Sequence, residues 1–281
     1  MNDVVFIAVI VAAALHATWN AAVKSGADKQ LMMVAVVLGQ VIPALLLLPF
    51  VDVPASDSWY YIVLGIILHV GYQLFLVRAY QSGDLTQVYP IARGSAPLLV
   101  AFVSVLFLGV TLGSIELLAI LLIAGGIMSI CLVRQQDGLP NHRAALLALA
   151  TGGFIAAYSL VDGIGARLAG TAVGFYCWLA LGNAVAMLLS TRLMRKGILK
   201  EIVQSNKAVC LLGGGASFLA YAIVIWSFTQ APIALVTALR ETSIVFALFI
   251  GVFHLKERLN LVKVLSTMTT LTGAALLRFA R

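Results

Sequence analysis

The sequence predicts an all-α integral membrane protein whose ten transmembrane helices form two inverted five-helix repeats. Of its 281 residues, 62% are hydrophobic and only 10% are charged, whereas a soluble globular domain has about 25% charged residues. A core of this length cannot bury so much apolar side chain, so the surrounding solvent is predicted to be lipid. Runs long enough to span a bilayer, about 20 residues each, occur at 4–23, 31–50, 59–80, 86–109, 114–133, 144–165, 171–194, 208–229, 233–253 and 260–279.

The connections between these runs are short and carry turn or polar residues, as in "KSGADKQ", "QSGDL" and "RQQDGLPNHR". They leave no room for a soluble domain. The N-terminal run has no basic segment before it and no convincing cleavage site, so it is predicted to be the first transmembrane helix and not a removable signal.

A faint internal duplication underlies the repeat prediction. When the second half is slid onto the first by about 140 to 147 residues, Trp19 falls on Tyr158, Arg93 falls on Arg240, and Gly126 coincides with Gly273. The predicted units are 1–138 and 139–281. Because five is an odd number, the second unit must enter the bilayer upside down relative to the first. Many secondary transporters have this architecture and bind substrate near the midplane, between the repeats.

The net charge of +7 is interpreted as a membrane-surface feature and not as a nucleic-acid site. The positive-inside rule places the loops after helices 1, 5, 7 and 9 in the cytoplasm and both termini outside, in a multi-pass protein of the cell (inner) membrane. Those loops hold most of the basic residues: Lys24, Lys29, Arg134, Arg143, Arg192, Arg195, Lys196, Lys200, Lys207, Lys256 and Arg258.

Two stretches carry a resemblance to a known family. The opening helix reads "LHATWNAAVK", and the last helix hairpin reads "FHLKERLNLVKVLSTMTTLTGAALL". With the ten-helix pattern, they resemble the EamA family of the drug/metabolite transporter superfamily. One departure is that Val110 stands where the second repeat has Glu257.

The resemblance implies a carrier for small metabolites, among them amino acids, sugars, phosphorylated compounds and drugs. It implies a central cavity lined by helices 1, 3 and 4 with their twins 6, 8 and 9. Some relatives with the "HATWN" opening accompany phosphonate utilisation, which hints at an anionic substrate. Members usually have cytoplasmic termini, against the charge distribution, so the orientation stays open.

Helix 1 carries a polar stripe. His16, Trp19 and Asn20 lie three and four residues apart, on one face of an otherwise apolar helix. Such a stripe faces protein or water and not lipid. These residues are candidates for substrate binding; the alternative is that they hydrogen-bond a neighbouring helix or anchor the interface.

Helices 3, 6 and 8 supply further candidates. Tyr158 and Asp162 share a face of helix 6, and Tyr72 lies on helix 3. Asp162 has no basic residue one turn away, so it is either a proton-coupling site or the ion-pair partner of an arginine from another helix. Helix 3 also carries His69, Gln73 and Arg78, and helix 8 carries Tyr221 and Trp226.

The matched arginines are the main candidates. Arg93 lies between Pro90 and Pro97, each of which removes a helical hydrogen bond and is expected to loosen the backbone; Tyr89 lies one turn before it. A guanidinium fork matches carboxylate and phosphate oxygens in pairs and stays charged at any pH. Arg93 and Arg240 are therefore predicted to bind an anionic group; the alternative is a structural role. Glu241 points away from Arg240 and is expected to reach Arg93 or Asn20.

A gradient-driven carrier or exchanger of a small anionic or zwitterionic metabolite, such as a phosphonate or related organic acid, is the favoured function. The alternatives are an exporter of amino acids or drugs, a channel, and a membrane enzyme. The sequence lacks an ATP-binding loop and the DxxxD and HExxH motifs of membrane enzymes. Its three cysteines are far apart, so neither a disulfide framework nor a metal site is suggested. No cofactor is expected. The expected partners are the substrate and the lipid bilayer, with the protein a monomer or homodimer.

Overall fold

The computed structural model describes residues 1–26, 28–82, 85–129, 142–194, 197–253 and 261–279. All regular secondary structure in these ranges is helical. The helices are α1 Asp3–Ser25, α2 Lys29–Gly39, α3 Val41–Leu47, α4 Trp59–Ser82, α5 Leu85–Leu106, α6 Ser114–Met128, α7 His142–Leu168, α8 Ala172–Met194, α9 Ile198–Ser205, α10 Gly214–Gln230, α11 Ile233–Arg240, α12 Ser243–Phe253 and α13 Leu261–Phe279.

The described helices suit a bilayer. Seven spans are long and apolar enough to cross a membrane, and three shorter apolar helices lie at Pro90–Leu106, Ser114–Met128 and Val264–Phe279. Large apolar side chains cover the outside of the bundle; Phe50, Leu212 and Phe107 are 84%, 76% and 74% exposed. Monomeric soluble proteins rarely expose large apolar patches, whereas lipid solvates them. The chain is therefore a multi-pass membrane protein.

The second predicted helix is interrupted at Gln40, between α2 and α3. Pro43 has no N–H to donate to the carbonyl of Gly39, so the helical ladder loses a bond there. The side chain of Gln40 is buried and donates from Nε2 to Ser217 Oγ at 2.9 Å. The break thus carries a polar side chain into the protein interior.

The ninth predicted helix is interrupted as well. Glu241 and Thr242 form a turn between α11 and α12, in which backbone hydrogen bonds run three residues back: Glu241 N to Ala238 O and Thr242 N to Leu239 O, both 3.0 Å. The side chain of Thr242 also donates to Leu239 O, at 2.8 Å. No proline or glycine marks this break in the sequence.

The connection before α10 is not a simple loop. It contains the short helix α9, which follows Gly197 at φ +86°, a conformation that glycine adopts without steric cost. Ile198 and Ile202 lie four residues apart and are both buried, against α2. One apolar face of α9 therefore packs on the bundle.

The two ends of the described chain lie on the same side of the bundle. Arg278 Nη1 of α13 is 2.7 Å from Asp3 Oδ1 of α1. An even number of membrane crossings is consistent with both ends lying on one side.

A basic side chain caps the C-terminus of α10. Arg167 donates from Nε and Nη2 to Phe228 O and Ala231 O, both at 2.8 Å.

Glycines allow a close contact between α2 and α10. At the α2–α10 crossing, a Cβ on Gly214 would lie 2.5 Å from the Gly39 carbonyl carbon and 3.0 Å from Gln40 N. Because these are backbone atoms, neither helix can yield by moving a side chain. Small residues at a crossing are typical of membrane helix pairs.

Gly214→Ala is therefore expected to destabilise the protein by about 1–3 kcal/mol, the usual cost of overpacking. Gly215→Ala is the matched control, because no atom lies within 4 Å of the position of its Cβ. It should leave stability unchanged or raise it slightly, since alanine is the better helix former. Unfolding of the purified variants in detergent micelles measures both. Equal midpoints for the two variants would contradict the close crossing.

Candidate functional site

A cavity of about 50 Å³ lies in the interior of the bundle, walled by residues of α1, α2, α4, α7, α8 and α10 and by Gln40. Four predicted site residues line it: His16, Trp19, Tyr72 and Tyr158. The remaining lining residues are Met33, Val36, Val37, Gln40, His69, Gln73, Tyr176, Leu179, Asn183, Ser217 and Tyr221.

Aromatic rings pack around Tyr158 in this wall. The ring of His69 stacks on the Tyr158 ring with centroids 4.2 Å apart, and the ring of Tyr221 meets it edge-on at 5.9 Å. Tyr72 makes a further edge contact at 5.6 Å. Such pairs lock ring orientations, so the imidazole of His69 is held in a defined position.

Asp162 is the buried acid of this wall. Its side chain is fully buried, and its Oδ2 lies 2.8 Å from His69 Nε2 and accepts a hydrogen bond from Tyr221 OH at 2.7 Å. Its Oδ1 has no hydrogen-bond partner in the described part of the chain. One predicted role for Asp162 was an ion pair with an arginine of another helix. Among the described residues its partners are instead a histidine and a tyrosine.

Each guanidinium nitrogen of Arg93 lies near a side-chain partner. Its Nε is 2.7 Å from Glu241 Oε2, its Nη1 is 2.9 Å from His16 Nε2, and its Nη2 donates to Ser243 Oγ at 3.2 Å. The guanidinium and the carboxylate are both buried, with 5% and 1% of their side chains exposed. Glu241 thus spans the interface between α5 and the α11–α12 turn and neutralises Arg93.

His16 lies between two N–H donors. Trp19 Nε1 is 3.2 Å from its Nδ1, and Arg93 Nη1 is 2.9 Å from its Nε2. A neutral imidazole has only one acceptor nitrogen, so only one of these contacts is a good hydrogen bond. Asn20 donates to the His16 carbonyl at 2.8 Å, a bond within α1.

Arg240 has no such partners. Its side chain is 2% exposed, and its nearest acidic atom is Glu241 Oε1, 3.6 Å from Nη2. None of its three guanidinium nitrogens makes a hydrogen bond to the described residues. The guanidinium carbon lies 6.0 Å from the centre of the Tyr158 ring. Leaving buried charged donors without acceptors is costly, so Arg240 is the group best placed to take an added anion.

The two arginines do not line the cavity. Each lies behind a lining residue: Arg93 contacts His16, and Arg240 faces the ring of Tyr158. Asn20, Asp162 and Glu241 are not lining residues either. Tyr89 belongs to α5, but its side chain is outside the described part of the structure, as is the Glu257 turn.

The prolines of α5 do not interrupt it. The helix runs from Leu85 to Leu106 with Pro90 and Pro97 inside it, so the expected loosening around Arg93 does not appear as a break. α5 is packed against α7 and α6, and packing against neighbours tolerates proline in membrane helices. The interruption falls instead beside Arg240, in the segment matched to Arg93.

Four polar lining residues were not singled out from the sequence: Gln40, Tyr176, Asn183 and Ser217. Gln40 and Asn183 are isolated amides in long apolar runs, a signal that would have identified them. In the described part of the chain, no group of three or more His, Cys, Asp or Glu residues could hold a metal ion.

Residues 4–132 match the model of the EamA-like transporter family. This part of the chain is similar to that family. The EamA-like family is part of the drug/metabolite transporter superfamily, and its members are transporters and not enzymes. The match supports a membrane transporter of small molecules.

Comparison with solved structures supports the fold. A structure titled only as the crystal structure of a protein superposes with a TM-score of 0.73 at 16% identity, covering 99% of this chain and 96% of the other. At this identity the likeness shows the fold alone. No curated protein matches the sequence.

Proposed function

We propose that the protein is a secondary-active carrier that moves a small acid-bearing metabolite, such as a phosphonate or a related organic acid, across the cell (inner) membrane by alternating access. The observation that carries this proposal is Arg240, a buried guanidinium that has no hydrogen-bond acceptor in the described structure. A carboxylate or phosphonate matches its planar fork in pairs.

The three charges of the Arg93–Glu241–Arg240 cluster explain how an anion is accommodated. Glu241 neutralises Arg93 at 2.7 Å and lies 3.6 Å from Arg240. One carboxylate therefore serves two guanidinium groups, and the cluster keeps one excess positive charge. An arriving anion pairs with Arg240 and lets Glu241 remain with Arg93.

The helix contacts support two inverted repeats, 1–138 and 139–281. Suppose that α1, α4, α5 and α6 of the first half correspond, in that order, to α7, α10, α11–α12 and α13 of the second. Exchanging the halves then turns the α1–α10 contact into the α7–α4 contact. It likewise turns α5–α7 into α11–α1 and α12–α1, and it maps α6–α13 onto itself; all of these contacts occur. A two-fold axis relating the halves accounts for this reciprocity.

Substrate binding requires helix movement. The cavity measures about 50 Å³, whereas sites for small ligands usually measure about 300–1,000 Å³. The α11–α12 turn at Glu241 and Thr242 is the natural place for the change, because irregular backbone at a binding site lets two half-helices move separately. Movement there carries Arg240 relative to Tyr158 and opens the guanidinium to the cavity.

A second candidate function is export of amino acids or amine-bearing drugs. The aromatic wall formed by Tyr158, Tyr221 and Trp19, with Asp162 behind it, favours a cationic amine. A substrate that carries an amine but no acidic group would bind this aromatic wall and would not contact Arg240.

Ligand-dependent thermal stability distinguishes the carrier of an acid-bearing metabolite from the exporter of amines. We expect methylphosphonate, phosphate or succinate to raise the unfolding midpoint of the purified protein, since a ligand that binds the folded state stabilises it. Ethanolamine and tetramethylammonium are the matched cations, and glycine is the zwitterion. Stabilisation by the cations alone would favour the exporter. No stabilisation by any acid-bearing compound would contradict the proposed function.

A further inference from the structure

We propose that His69 is a proton-binding site, and that the carrier moves one proton with each monoanionic substrate. The inference rests on the proposed function, because it concerns the charge that accompanies the anion. It adds a second site, on α4 and α7, to the arginine cluster of α5 and α11. The bound species is a proton on an imidazole nitrogen that faces the cavity.

The geometry prepares His69 to accept that proton. Its Nε2 lies 2.8 Å from Oδ2 of the fully buried Asp162, so Nε2 carries a hydrogen and donates it to the carboxylate. The lone pair of the neutral ring is then on Nδ1. His69 lines the cavity and keeps 12% of its side chain exposed. A proton can therefore reach Nδ1 from the cavity, and its addition breaks no existing bond.

Asp162 is arranged to hold the resulting imidazolium. The carboxylate receives hydrogen bonds from His69 and Tyr221 on Oδ2, while Oδ1 is unused by any described residue. A charged pair buried with hydrogen bonds is tolerated far better than an isolated charge. Stacking on Tyr158 fixes the ring plane.

Charge balance gives the stoichiometry. Arg93 and Arg240 are balanced by Glu241 and Asp162, so this buried set is neutral when both cavity histidines are neutral. A monoanion at Arg240 would leave one uncompensated negative charge in a medium of low dielectric constant. One proton on His69 restores neutrality. A zwitterion carries its own compensating charge and needs no proton.

Neighbouring groups favour His69 over His16. Asp162 is the acid in direct contact with His69. The other titratable groups around it are Tyr158 of α7, Tyr221 of α10, Tyr176 of α8 and Tyr72 of its own helix. Asp57 lies before the start of α4, well away along the chain from His69, and α2 contributes only apolar side chains to the cavity. From α5, Arg93 contacts His16 instead, where its positive charge opposes a second one.

Paired measurements of anion and proton movement test this. The full-length protein is reconstituted into vesicles that contain a pH-sensitive dye, and an inward gradient of labelled methylphosphonate is applied under mildly acidic conditions, where it is mainly a monoanion. The wild type is expected to bring in about one proton per anion. His69→Gln should lower that ratio to near zero, whatever its residual rate. His142→Gln, at an exposed position outside the cavity, should keep the ratio.

Asp162→Asn gives an independent variant if His69→Gln does not fold, because it removes the carboxylate that stabilises the imidazolium. It should also lower the ratio. An unchanged ratio in the folded variants, or wild-type uptake without internal acidification, contradicts the inference alone. Absence of methylphosphonate, phosphate and succinate uptake and exchange by the wild type contradicts the proposed function as well. A fall in the number of protons taken up per anion in His16→Gln but not in His69→Gln places the site at His16 and contradicts the inference.

Discussion

Replacing Glu241 with glutamine is expected to lower the free energy of unfolding by about 3–5 kcal/mol, the usual cost of removing one partner from a buried ion pair. Glu241 lies 2.7 Å from Arg93 and 3.6 Å from Arg240, and its side chain is 1% exposed. Glutamine has nearly the same shape, so packing changes little. The loss comes from two guanidinium groups left without a counter-charge. Thermal or denaturant unfolding in detergent measures it.

The double variant Arg93→Gln with Glu241→Gln is the control. It removes one charge of each sign, so it should be more stable than Glu241→Gln alone. Methylphosphonate should also raise the midpoint of Glu241→Gln more than that of the wild type, because the added anion replaces the lost carboxylate. Wild-type stability of Glu241→Gln would show that Glu241 does not neutralise the arginines.

Replacing Arg240 with lysine is expected to lower methylphosphonate uptake at least about ten-fold while changing stability little. Lysine keeps the charge but loses the planar fork that binds two oxygens at once. Arg240 makes no hydrogen bond to described residues, so the folded state has few contacts to lose there. Arg93 contacts Glu241, His16 and Ser243, and Arg93→Lys should destabilise the protein much more.

Uptake into vesicles and unfolding midpoints are measured on the same preparations of both lysine variants. This comparison separates a binding arginine from a structural one. Near-wild-type uptake by Arg240→Lys would mean that the fork is not used on the substrate. A large loss of stability in Arg240→Lys would mean that Arg240 mainly holds the helices together.

The general architecture could be predicted because it depends on composition and run length. Lipid solvation demands long apolar helices, and each such run contains a helix in the described structure. Helical spacing also indicated that Glu241 and Arg240 do not face each other well; Glu241 lies closer to Arg93, at 2.7 Å, than to Arg240, at 3.6 Å. Run length and helical spacing are local to one segment.

Other features depend on which helices become neighbours. The His69–Asp162 contact joins residues 93 apart in the chain, and no spacing rule connects them. The α11–α12 turn has neither proline nor glycine; at this break Glu241 pairs with Arg93 of another helix. The internal duplication matched Arg93 with Arg240, but their depth behind His16 and Tyr158 follows from helix packing, which the sequence pattern does not specify.

A structure determined with methylphosphonate bound will show whether Arg240 binds the acidic group of the substrate, as we propose. We expect phosphonate oxygens roughly 2.7–2.9 Å from the guanidinium nitrogens of Arg240, the distance of a charge-assisted hydrogen bond, with Glu241 still paired to Arg93. Methylphosphonate bound elsewhere, with Arg240 still against Tyr158 and without an acceptor, would contradict it.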